Sequence, residues 1–173
     1  MRDDRHKWAP AGQNDFPIDI WNATLSIPKI ERQTLISGQN VLSQIKQPLI
    51  GWPDIAKKES YAVTLRRDRV LLINGPEKSD GWNTKQNQAI SNASNAFAVF
   101  DLSGEAALSL LKRGTELSLE ISSRSAARRL FGLEAILYRF ADKQTYRIHV
   151  HAAHRETLIE NFKTARSFCA QDR

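Results

Sequence analysis

Three of the four histidines fall within HVHAAH, at His149, His151 and His154. A strand with a two-residue period puts His149 and His151 on one face, and His154 can fold back from the following turn. Neutral imidazoles in that arrangement are the ligands a tetrahedral Zn²⁺ takes. No cysteine or acidic fourth ligand stands beside them, however. The simpler expectation is a strand leaving its sheet with solvated histidines and no metal. Arginines gather twice, at Arg66, Arg67 and Arg69 and again at Arg124, Arg128 and Arg129. Either group can grip phosphate or carboxylate. Neither is interleaved with the aromatics of a base-stacking platform, so solvated surface or a protein-docking patch is expected rather than nucleic-acid binding.

The lone cysteine, Cys169, has no evident base beside it, and Asp101 has no second carboxylate that must meet it. The eight glycines never form a G-x-G-x-x-G or P-loop pattern, and no G-x-S-x-G elbow occurs. On these grounds the sequence assigns no catalytic, cofactor-binding or metal-ligating residue. An enzyme with its own active site is the weaker expectation.

The elements that carry these residues repeat a phrase. LISGQNVLSQI (35–45) and DLSGEAALSLL (101–111) share Ser-Gly, three residues, Leu-Ser, one residue and a branched apolar side chain. Each reads as a strand, a Ser-Gly corner and a helix. Glycine tolerates the corner's backbone, and serine can cap the helix it opens. Pro48 stops the first helix; Lys112, Arg113 and Gly114 suit the end of the second. Hairpins follow in both halves: YAVTL and VLLIN around RRDR (66–69), then LEAILYRF and TYRIHV around ADKQ (141–144). A polar helix is expected around 84–91, and a closing helix over about 153–166 buries Leu158, Ile159, Phe162 and Ala165. Ile18 to Ile27 reads as an edge strand between Pro17 and Pro28.

The fold class that follows is α+β, a two-layer sandwich of two similar strand-helix-hairpin-helix halves, about 33–92 and 96–166. Residues 1–16 read as a flexible arm, 17–168 as a single domain and 169–173 as a tail. With 173 residues and 41% apolar content the chain can bury a core. The charge of +6 favours an acidic partner or anionic ligand. One cysteine excludes an internal disulfide and points to a reducing compartment. No apolar run reaches the roughly 20 residues of a spanning helix and the N-terminus lacks a signal-peptide core, so a cytoplasmic location without membrane contact is expected.

The second half, from ISNASNAFAVFDLSGEAALSLLKRG to the segment ending HAAHRETLIENF, resembles the gamma subunit of heterotetrameric sarcosine oxidase. Leu102-Ser103-Gly104, Leu110-Leu111, Gly114, Arg128 and the pair Tyr146-Arg147 carry the resemblance, and VLLINGPEKSDGW (70–82) resembles the family's strand ending in Gly-Pro-acid. It spans about 33–168 and is diffuse. Asn92-Ala93-Ser94 stands where the family has Asp-Val-Ser, Lys78 to Gly81 separate the turn from Trp82, and His151 replaces an arginine.

The resemblance implies a fold like the N-terminal folate-binding domain of aminomethyltransferases. It also implies an accessory, non-catalytic role beside alpha, beta and delta subunits in the oxidative demethylation of sarcosine, the one-carbon unit passing to tetrahydrofolate. FAD, FMN, NAD and tetrahydrofolate would sit on the other subunits, with no cofactor on this chain. A free-standing folate-binding protein is the alternative, needing an acid for the pterin and an aromatic wall. A basic nucleic-acid-binding α+β domain is a third. Trp52, Trp82 and the loop 122–129 are the expected docking surface.

Overall fold

The computed structural model describes residues 14–115 and 118–169. Among these residues thirteen strands form two sheets that pack face to face. The first sheet holds β1 (Ile18–Asp19), β2 (Thr24–Ser26), β10 (Phe97–Ser103), β13 (Thr145–His151), β12 (Leu133–Phe140) and β11 (Ala127–Leu130) in that spatial order, with β5 (Ile55–Ala56) parallel to the end of β12. The second holds β4 (Leu49–Ile50), β6 (Tyr61–Arg66), β7 (Arg69–Ile73), β3 (Gln33–Gly38), β9 (Gln88–Asn92) and β8 (Gly81–Asn83). Helices α2 (Ala107–Gly114) and α3 (Arg155–Cys169) cover the outer face of the first sheet, and the single turn α1 (Val41–Gln44) lies on the outer face of the second.

The strand sequences dictate this layering. In β13 the alternation sends Tyr146, Ile148 and Val150 to the core beneath the helices, with Leu158, Ile159 and Phe162 of α3. Arg147 and His149 therefore face the other sheet. In β12, Ala135 and Leu137 point to the helices, and Ile136 and Tyr138 to the space between the sheets. Tyr61, Val63, Leu71 and Ile73 answer them from β6 and β7, while Ala62, Val70 and Leu72 turn outward beneath α1. Leu137 is fully buried; truncating it to alanine would cost about 2–5 kcal/mol.

Several expectations change. The chain is not a two-layer sandwich, because two sheets lie between the helices, so both faces of the central strands need apolar residues. Residues 84–91 are not a helix: β8 and β9 form a hairpin there, and its polar face is solvated. The first half consequently has no closing helix. The Ser-Gly corners end their strands as expected, but neither serine caps a helix, since no side-chain cap bond forms at Asn40 or Ala106. Ser37 instead accepts a hydrogen bond from Arg69 Nε at 3.0 Å. Glycine is required at both corners. Gly104 has φ +119, and a Cβ there would meet the Asn22 carbonyl oxygen at 2.6 Å; a Cβ at Gly38 would meet that of Asn87 at 2.5 Å.

Residues 1–13 of the expected arm and 170–173 of the tail lie outside the described residues. Residues 14–16 are not free: Asn14 donates to Glu156 Oε2 at 2.8 Å, and Phe16 packs 5.9 Å from Phe100. No helix among the described residues is long and apolar enough to cross a membrane.

Candidate functional site: a buried polar chain beneath an arginine-rimmed cavity

Asp101, Arg147 and Tyr138 meet because the register makes them cross-strand neighbours. Arg147 on β13 stands opposite Asp101 of β10 on one side and Tyr138 of β12 on the other. Its guanidinium binds Asp101 in a two-pronged pair, Nε to Oδ1 and Nη2 to Oδ2, both 2.7 Å. It also lies 3.5 Å from the centroid of the Phe140 ring. The third nitrogen, Nη1, donates to the Tyr61 hydroxyl of the opposing sheet at 2.9 Å. Tyr61 then meets the Tyr138 hydroxyl at 2.9 Å, Tyr138 meets His149 Nε2 at 2.8 Å, and His149 Nδ1 meets Gln33 Oε1 at 2.8 Å.

Only one set of proton positions satisfies this chain. Arg147 can only donate, so the Tyr61 oxygen accepts from it; a neutral His149 protonated at Nδ1 accepts at Nε2 from Tyr138, which leaves the Tyr138 oxygen to accept from Tyr61. Gln33 Nε2 donates to the Ser94 carbonyl at 3.4 Å, which leaves Gln33 Oε1 to accept from a protonated His149 Nδ1. His149 is thus a neutral Nδ1–H tautomer with both nitrogens occupied. Burial, reinforced by the Arg147 charge, pushes its pKa down to about 3. Burial raises the pKa of Tyr61, and burial with the neighbouring Tyr61 raises that of Tyr138 further. Burial alone would lower the Arg147 pKa, but the Asp101 bonds outweigh it and the pKa is raised. Tyr61, Tyr138, His149 and Arg147 therefore keep their charge states near neutral pH. The physical role of this polar chain is to join the two sheets in one register, since every member is satisfied only when the sheets are correctly stacked.

Beside this chain the sheets part, leaving a cavity of about 570 Å³. Leu35 and Leu65 line it from the second sheet; Phe97, Ala135 and Ile136 line it from the first, and the buried His149 ring backs it. Arg66, Arg69, Arg128 and Arg129 stand around it with a single acid, Glu134. Arg66 and Arg69 of one cluster and Arg128 and Arg129 of the other, far apart in sequence, therefore meet at one opening, while Arg67 and Arg124 do not line it. β11 is held against β6 by the Ala126 amide on the Thr64 carbonyl at 2.8 Å and by Ser125 Oγ on the Leu65 carbonyl at 2.6 Å.

The sequence expectations fare unevenly. His149 is not on a solvated strand end; it is wholly buried, because a second sheet covers that face of β13. His151 and His154 are exposed, their rings 6.1 Å apart, so the three imidazoles do not converge. Among the described residues no group of three His, Cys, Asp or Glu side chains could hold a metal ion. Asp101 meets no second carboxylate among the described residues but pairs with Arg147. Trp52 offers no docking surface: it is 2% exposed, stacks on Tyr146 and donates from Nε1 to the Leu119 carbonyl at 2.8 Å. Trp82, at 60%, and Ile121, at 69%, are exposed. Sequence reasoning missed Gln33, Tyr61 and Tyr138 altogether. The available signal was the alternation in TYRIHVH, where Arg147 and His149 share a face that a second sheet would have to satisfy.

No protein-family model matches the chain, and no curated protein matches it. Among solved structures, a chain of the heterotetrameric sarcosine oxidase from Corynebacterium sp. U-96, determined in complex with pyrrole 2-carboxylate, is similar with a TM-score of 0.66 and 16% identity, covering 87% of each chain. Equal coverage means that the likeness is to a chain of about this size, not to a domain of a much larger subunit. At that identity it speaks to the fold.

Proposed function

We propose that the chain is an accessory, non-catalytic subunit of a sarcosine oxidase-like complex, folded as one domain over about 17–168. The observation that carries this reading is the 87% mutual coverage with a chain of similar length from a heterotetrameric sarcosine oxidase. The diffuse sequence resemblance to the gamma subunit points the same way independently. The chemistry of the interior agrees: the deepest titratable groups are fully paired and held far from neutral pKa, which suits a structural core and not proton transfer.

The pairing order supports a duplicated design as part of the reading. β10 pairs β13, which pairs β12, just as β3 pairs β7, which pairs β6. The partners would be the flavin-bearing subunits and a delta-like chain, and the docking face would centre on Ile121 and the loop 122–129, with Trp82 as a second contact. Oxidising a C–N bond needs a cofactor to accept the hydride, and that cofactor would sit on the partners.

Co-expression with sarcosine oxidase-like flavin subunits tests the reading. One stable complex containing this chain is expected, weakened by Arg128→Glu with Arg129→Glu. Expressed alone, the chain should be colourless and inactive towards sarcosine. A yellow, sarcosine-oxidising preparation of the lone chain would overturn the accessory role.

A further inference from the structure

We infer that the cavity between the two sheets is a binding site for a flat, apolar organic carboxylate. The inference is independent of the subunit reading. It begins with an inconsistency in packing. Close by, the same two sheets seal completely: Tyr61, Val63, Leu71, Ile73 and Tyr138 are at most 1% exposed. Leu35, Leu65 and Phe97 continue that interface yet remain only half-buried around about 570 Å³ of open space. Protein interiors close such gaps unless something else fills them. The volume falls within the 300–1,000 Å³ or so of small-molecule sites, whose walls are likewise apolar with a few polar groups placed at the edge.

The shape and charge narrow the occupant. Leu35 and Leu65 line the space from one sheet and Phe97 and Ile136 from the other, so a flat body between them makes contact on both faces. Arg66, Arg69 and Arg128 stand at the opening with one acid, Glu134, among the described lining residues, and His149 is neutral, so basic groups outnumber acidic ones there. Like charges drawn around one opening repel, and an anion relieves that repulsion. Arg128 adds a second observation: its Nη1 is bonded to the Ser125 and Ala127 carbonyls at 3.0 and 2.7 Å, but its Nε is buried without a hydrogen-bond partner. The guanidinium fork matches a carboxylate in geometry as well as charge. His149 offers the ligand only ring carbon, since both of its nitrogens are engaged; it shapes the site and transfers no proton.

Calorimetric titration of the full chain with 2-naphthoate, 2-naphthylmethylammonium and inorganic phosphate tests the assignment. Naphthoate should bind measurably, and at least about tenfold more tightly than either other probe. Arg66→Glu, an exposed position at the opening, should weaken naphthoate about tenfold, and added salt should weaken it too. Ala127→Trp, also exposed and at the opening, should abolish binding by filling the entrance while leaving the melting temperature unchanged. Three results would each refute the site: no naphthoate binding at millimolar concentration, equal binding of the ammonium, or unaltered affinity in Ala127→Trp. Phosphate binding as tight as that of naphthoate would likewise refute it, reducing the cavity to a bare charge cluster. None of these results bears on co-purification with flavin subunits, so the two readings fail separately.

Discussion

Replacing His149 by glutamine separates its contribution from every other titrating group through the pH dependence of stability. In the folded chain the imidazole stays neutral down to about pH 3, against an ordinary value of 6.5. Between those limits the unfolded chain holds one more proton than the folded one, so stability rises with pH. The His149 contribution is therefore complete above 6.5 and is lost as the pH falls towards 3. One proton corresponds to about 1.4 kcal/mol per pH unit, so between about pH 7.5 and pH 5 this single group removes about 2 kcal/mol. Protonation has a structural cost as well. A charged ring would present a donor at Nε2, and Tyr138, already accepting from Tyr61, would have to reverse its proton. Urea unfolding at several pH values, followed by fluorescence, supplies the measurement. His149→Gln should be less stable than the parent at neutral pH, and the gap should narrow by about 2 kcal/mol at pH 5. The histidines at 6, 151 and 154 are unchanged in the variant and cancel. Parallel loss of stability in the two proteins would refute the assignment of His149 as a buried neutral link.

Asp101→Ala leaves the Arg147 charge buried without its carboxylate and should cost about 3–5 kcal/mol, read as a lower urea midpoint; a change below about 1 kcal/mol would show that water replaces Asp101. Gly104→Ala should destabilise by about 1–3 kcal/mol, because the corner is left-handed and closes on the Asn22 carbonyl; a thermal melt unchanged from the parent would contradict that geometry. Trp82→Ser should leave stability within about 0.5 kcal/mol, since the ring is exposed, while lowering retention of the chain in a complex with flavin subunits.

The sequence announced the apolar hairpin strands and the Ser-Gly corners, because period-two alternation and glycine are local signals, but not the polar hairpin of β8 and β9 or the short strands β4 and β5. It hid which face of each strand would be covered. YAVTL and VLLIN are apolar on both faces, which suits either a strand packed on helices or one packed between a sheet and a helix. That ambiguity led directly to the expectation of solvated histidines: one covering layer leaves Arg147 and His149 in water, and two covering layers oblige them to find partners. Asp101 could be read only once β10 was registered against β13, and Gln33 and Tyr61 only once the second sheet was stacked on the first. The arginine clusters obey the same logic. Some 60 residues separate Arg66 from Arg128, and each cluster alone is an ordinary solvated turn. They become one feature through the bonds of Ala126 and Ser125 to the β6 backbone, which bring the two hairpins to the same opening. The excess of basic residues visible in the composition therefore acquires a place. Arg66, Arg69 and Arg128 stand around an apolar cavity, and the carboxylate proposed for it is the ligand that would answer charge and apolar walls together.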